Sequence, residues 1–141
     1  MAPADSSFRS TGREPSWLAK VFLPALIAAG VSQAVAADSF ETRCGWFDNP
    51  TPGNVSLFDR DAEWIIGIQG GYQVAADWPW PRFAAGQWKK TNGNHGYGCA
   101  CLAVKTDPLT RQVLAIGKVQ ARPLQSCRQD LALKKWRRTF K

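Results

Sequence analysis

Four kinds of residue in this chain could do chemistry: one histidine, an alternating run of carboxylates, four cysteines and a set of tryptophans. His95 sits in Asn94-His95-Gly96. An imidazole in a glycine-rich turn can act as a general base, which would make the protein a small hydrolase centred on His95. No nucleophile or carboxylate adjoins it in sequence, so a solvated loop histidine is the plainer account. Asp59, Asp61 and Glu63 alternate, and on a strand they would share one face like cation ligands or an acid pair. Arg60 lies between them, and Gly70 stands where the closing Glu of a calcium loop belongs. A solvated strand face or turn is therefore expected. No catalytic residue, metal site or cofactor is assigned.

The cysteines are Cys44, Cys99, Cys101 and Cys127. A C-x-C pair with two lone outliers does not match the paired spacing of a zinc site. An even count in a small exported domain points to two disulfides. Residues two apart on a strand lie about 6.6 Å apart, near the upper limit for a bridge, which disfavours Cys99–Cys101. Cys44 is then expected to join one member of the pair and Cys127 the other. Which joins which stays open.

Six tryptophans follow residue 37. Trp46 and Trp64 lie in strand-like stretches and read as core. Trp78-Pro79-Trp80-Pro81 is a stiff segment that cannot sit in a ladder, because neither proline donates. Indoles held on a rigid platform engage sugar faces or protein partners at low entropic cost. Trp78, Trp80, Trp88 and His95 are the expected partner-binding residues.

The elements that must position these residues are short and β-like. Thr42–Phe47, Glu63–Gln69, Gln87–Lys90, Tyr97–Lys105 and Gln112–Arg122 read as strands. Tyr97–Lys105 and Gln112–Arg122 should pair as an antiparallel hairpin across Thr106 to Thr110. The segment Asp48-Asn49-Pro50-Thr51-Pro52-Gly53-Asn54 reads as a loop. Gly70-Gly71 and Asn92-Gly93-Asn94 read as turns. The expected fold is mostly β: a small antiparallel sheet, sandwich or partly open barrel, disulfide-stapled, with a short C-terminal helix. Leu133, Trp136 and Phe140 have the i, i+3, i+7 spacing of that helix, with basic residues on its other faces.

Residues 1–36 read as an export signal. Val21 to Gly30 is apolar and uncharged, too short for a roughly 30 Å hydrocarbon core. Lys20 precedes it, and Ala34-Val35-Ala36 supplies a small-x-small cleavage site. Processing after Ala36 leaves a single domain over 37–127 and a basic tail over 128–141. The whole chain carries a net charge of +7. Most of the charge after the signal lies in Lys134-Lys135-Trp136-Arg137-Arg138-Thr139-Phe140-Lys141. A solvated terminus is the plainer account of this tail. The sharper one is peripheral contact of Lys134, Lys135, Arg137 and Arg138 with an anionic membrane surface. Nucleic acid fits poorly with export.

The segments Arg43-Cys44-Gly45-Trp46-Phe47-Asp48-Asn49-Pro50, Trp64-Ile65-Ile66-Gly67, Gln69-Gly70-Gly71, Thr91-Asn92-Gly93-Asn94 and Tyr97-Gly98-Cys99-Ala100-Cys101 resemble a family of short exported bacterial proteins, domain of unknown function 4087. The resemblance runs from Thr42 to Cys127. It implies a bacterial envelope setting and brings no activity or catalytic residues. The sequence therefore points to a non-enzymatic periplasmic or secreted protein that binds an envelope protein, as an inhibitor or immunity-type partner. The alternative is a cell-wall glycan-binding or peptidoglycan-binding module that uses the exposed tryptophans.

Overall fold

The computed structural model describes residues 39–75 and 77–141. The expected export signal over 1–36 lies outside the described residues. The strands are β1 (Glu41–Thr51), β2 (Asn54–Phe58), β3 (Glu63–Gly67), β4 (Trp88–Asn92), β5 (His95–Asp107) and β6 (Gln112–Arg122). They lie in the order β1-β2-β3-β6-β5-β4, and β1 also pairs with β5. Five strands thus close a ring, the partly open barrel among the expected forms, and β4 is appended to β5.

The pairing is antiparallel except at one point. β3 and β6 run parallel and meet at Ile65 and Gln112, where the Ile65 N–H donates to the Arg111 carbonyl at 2.7 Å. The sheet is therefore mixed rather than antiparallel throughout. The β5–β6 hairpin forms as expected, from Asp107↔Gln112 to Cys99↔Arg122. Asp107 builds its turn by accepting the Leu109 N–H and the Thr110 hydroxyl, both at 2.9 Å. Both disulfides end on β5, joining Cys44 to Cys101 and Cys99 to Cys127.

The expected loop over Asp48 to Asn54 is a correction. β1 continues through Thr51, and the turn is only Pro52-Gly53. Gly53 takes φ +73°, the left-handed conformation such a turn asks of its second residue. Pro50 is tolerated because the β1–β2 register breaks between Asp48 and Thr51, so no ladder bond is asked of it.

Side chains on neighbouring strand positions point to opposite faces, and here both faces are buried. Phe47, Leu57 and Ala100 fill the ring together with Trp64, Ile66, Leu102, Val104 and Val113. Their neighbours Trp46, Phe58 and Cys99 point outward and form a second cluster with Tyr97, Cys127, Leu133 and Phe140. The expected burial of Trp46 and Trp64 holds.

The C-terminal segment covers the outer cluster. α1 (Leu124–Gln129) is followed by a 3₁₀ helix over Leu131–Trp136 and then turns, in place of one amphipathic helix. Asp130 caps the 3₁₀ helix by accepting the Ala132 N–H at 2.8 Å. Leu133 and Phe140 are buried, so this side of the tail is packed rather than solvated. Phe140 stacks on Trp46 at 5.2 Å and meets Phe58 and Tyr97 edge-on.

Candidate functional site: an aromatic cleft at the mouth of the ring

Phe47 is the floor of the cleft. Its ring meets Trp80 at 5.3 Å, Phe83 at 6.1 Å, Trp78 at 6.2 Å and Trp88 at 6.4 Å. Trp78 leans on Trp80, and Phe83 on Trp88, each pair with centroids 4.9 Å apart. Gly98 on β5 makes room for this layer, because a Cβ there would overlap the Phe83 ring. Beside these rings lies a cavity of about 440 Å³, lined by Asn49, Trp80, Pro81, Phe83, Trp88, Asn94 and His95. That volume lies within the ordinary range for small-ligand sites.

The polar edge of the cleft is held by hydrogen bonds. The Trp88 indole N–H donates to the Asn94 carbonyl at 3.1 Å. Lys90 Nζ donates to Asn94 Oδ1 at 2.9 Å. Asn49 Nδ2 donates to the Asn54 carbonyl at 3.2 Å, which turns its Oδ1 toward His95 Nδ1. An amide oxygen accepts only, so Nδ1 carries the proton and a neutral ring keeps Nε2 as acceptor. The amide orients the imidazole but takes no proton from it. Among the described residues no Ser, Thr, Cys, Asp or Glu lines this cavity.

A second cavity of about 330 Å³ adjoins the first. It is lined by Asn49, Gly53, Val55, Ile66, Gln73, Val74, Trp78 and Trp80. Asn49 and Trp80 belong to both. Trp80, Trp88 and His95, singled out in the sequence, therefore meet around one cavity, and Trp78 lies in the next. Sequence reasoning missed Asn49, Phe83, Asn94 and Gln73. Asn49 shares a strand face with Phe47 two positions away, which shows only once β1 is seen to run through Thr51.

The carboxylates lie elsewhere. They lie at a turn, where the Asp59 N–H donates to the Ala62 carbonyl at 2.9 Å. Asp61 and Glu63 are exposed, but Asp59 is buried, which corrects the expectation that it is solvated. Its carboxylate accepts the N–H groups of Asp61 and Ala62 at 2.7 and 2.8 Å and pairs with Arg43 at 2.6 Å. Burial pushes the Asp59 carboxyl up, but the Ala62 N–H, Arg43 and the Asp61 N–H together hold it below its ordinary value. Arg43 also pairs with Glu41 and Asp61 and lies 4.0 Å over the Trp64 ring. Glu63 accepts the Ser56 hydroxyl at 2.9 Å. One guanidinium ties three carboxylates together, and the cluster reads as a structural lock. Among the described residues no group of three or more His, Cys, Asp or Glu is placed to hold a metal ion.

Of the basic tail, Lys135 donates to the Asp61 carbonyl at 3.1 Å and lies over Trp136. Lys134, Arg137 and Arg138 are exposed.

The fold and cleft define a class: a disulfide-stapled β ring with an aromatic groove at its mouth. The family described as "Protein of unknown function (DUF4087)" matches residues 38–134, and the chain belongs to it. No curated protein and no solved structure matches the chain.

Proposed function

We propose that this is a non-enzymatic, exported binding protein whose recognition site is the aromatic cleft around Trp80. The observation that carries the reading is the convergence of Trp80, Trp88 and His95 on one cavity, with Trp78 beside it. Trp80 is 51 % exposed although it stands on buried Phe47. A large ring held open on a rigid base is what a binding anchor requires. Two disulfides fit a non-cytoplasmic, oxidising environment. The finer reading is a bacterial periplasmic or secreted protein, and N-terminal sequencing of protein from the envelope fraction tests it by finding Ala37 first.

The occupant is an envelope protein or a cell-wall glycan. The aromatic walls and the amide-bearing edge favour the glycan. The mature chain, immobilised, should retain purified cell-wall sacculi or a soluble envelope protein, and Trp80→Ala should lose that retention. Retention unchanged by Trp80→Ala overturns the assignment of the site. A second, peripheral contact with anionic membrane is proposed for Lys134, Lys135, Arg137 and Arg138. Leu133 and Phe140 are turned inward, which leaves the cations as the outward side of this segment. Vesicles with anionic lipid should bind at low salt and release at high salt.

A further inference from the structure

Three features of the groove go beyond the presence of a binding site. First, it is double. The cavities of about 440 and 330 Å³ meet at Trp80 and Asn49, so the exposed indole stands between two compartments. Second, it carries no formal charge. Among the described residues no Asp, Glu, Lys or Arg lines either compartment, in a chain with net charge +7. The Lys90 ammonium at the edge is bonded to Asn94 Oδ1, and the walls themselves present neither a cation to an anionic ligand nor a carboxylate to a cationic one. Third, each compartment joins aromatic surface to side-chain amides: Phe83 and Trp88 with Asn49 and Asn94 in one, Trp78 with Asn49 and Gln73 in the other.

The hydrogen-bonding capacity left over has a pattern. Trp88 spends its indole N–H on the Asn94 carbonyl, so this ring offers its surface rather than a donor. Asn49 is 8 % exposed and lines both compartments. It spends one amide N–H on Asn54 and its oxygen on His95, which leaves one N–H. Gln73 Nε2 donates to the Gly53 and Ile68 carbonyls, which leaves its oxygen as acceptor. Walls of this kind match a ligand whose rings have apolar faces and whose edges carry hydroxyls or amides. That is the chemistry of a neutral sugar chain. A proline-rich peptide is also neutral and stacks on aromatics, but its prolines have no N–H to give the Gln73 oxygen, whereas a sugar hydroxyl both donates and accepts.

We propose that the groove binds an uncharged glycan chain of at least two rings, laid across Trp80 with one ring in each compartment. This rests on the cleft being the recognition site. Stacking on preformed rings supplies the affinity, and the remaining Asn49 N–H and the Gln73 oxygen supply the polar contacts.

The test titrates the mature protein with chito-, cello- and xylo-oligosaccharides from mono- to tetrasaccharide, followed by indole fluorescence and calorimetry. In at least one series a disaccharide or longer chain should bind about tenfold tighter than the monosaccharide, the weight of one added stacking contact. Trp78→Ala should remove that gain with length and leave monosaccharide affinity in place. Trp80→Ala should remove both. Affinity should change little with salt, since the ligand is uncharged. Equal affinity for mono- and tetrasaccharide overturns the two-compartment proposal and leaves the binding site standing. Failure of all three series while a proline-rich decapeptide binds in a Trp80-dependent manner overturns the glycan. Failure of sugars and peptide alike, with envelope retention indifferent to Trp80→Ala, overturns the cleft itself.

Discussion

Trp46 and Phe47 are neighbours in the chain and founders of two different regions. Phe47 points into the ring and carries the rings of Trp78, Trp80, Phe83 and Trp88. Trp46 points outward and meets Tyr97 and Phe140. The two clusters have nearly the same chemistry. They differ in their cover: the tail lays Leu133 and Phe140 over the outer one, while Trp80 at the ring mouth stays half exposed. Aromatic content therefore does not separate a core from a recognition surface. What separates them is whether the chain spends its own side chains to close the face.

The contrast can be broken or sharpened by substitution. Phe140→Ala should have the largest effect. Opening the outer cluster should cost about 3–5 kcal/mol in chemical denaturation, with cleft affinity intact in the protein that remains folded. A parallel loss of affinity would show that the faces are not independent. Asp59→Ala should cost less, roughly 1–3 kcal/mol, because it leaves the N–H groups of Asp61 and Ala62 without their acceptor and takes one of three acidic partners from Arg43. The Asp59 carboxyl is held below its ordinary value in the folded chain. Its contribution is therefore present above that ordinary value and is lost as pH falls through the lower folded one. Thermal melts on the acid side should show the decline, and Asp59→Asn should flatten it.

Asp48 gives a smaller effect of opposite sign. Burial, helped by the Glu63 charge, pushes its carboxyl up to about 6 from 3.8. Stability linked to Asp48 is full below 3.8 and is lost as pH rises through about 6. Asp48→Asn should raise the melting temperature on the alkaline side of that value and leave it unchanged below 3.8. Trp80→Ala should be smallest in stability, within about 1 kcal/mol for a half-exposed ring, and largest in binding. A large loss of stability there would make Trp80 a core residue and erase the contrast.

Much of this architecture is local, and the local part is legible in the sequence. The β5–β6 hairpin announces itself through alternation and through Asp107, whose side chain builds the turn. The pairing of Cys44 and Cys127 with the C-x-C cysteines follows from strand geometry alone. What could not be read depends on partners far along the chain. Asp59 looks solvated beside Arg60 and Asp61, and its burial needs Arg43, on another strand, as well as the local N–H groups of Asp61 and Ala62. The ring closes on one parallel contact at Ile65 and Gln112, which leaves no periodic trace. Pro50 looked like a ladder breaker, and it sits where the ladder is already broken. For the cleft, the indoles were visible from their prolines. The amide floor at Asn49 was hidden inside what read as a loop.

β5 carries a further consequence, for the order of assembly. One of its edges holds β1, and the other holds first β4 and then β6. The β6 contact is local, but β1 must find β5 across a separation of 57 residues at Cys44 and Cys101. Long-range closure of this kind slows a folding search. The Cys44–Cys101 bridge removes roughly 4 kcal/mol of loop-closure entropy from the unfolded chain. A reduced chain must therefore make its slowest contact unaided. An oxidised one starts each refolding attempt with that search already done, so intact disulfides should speed the return to the native state as well as hold it.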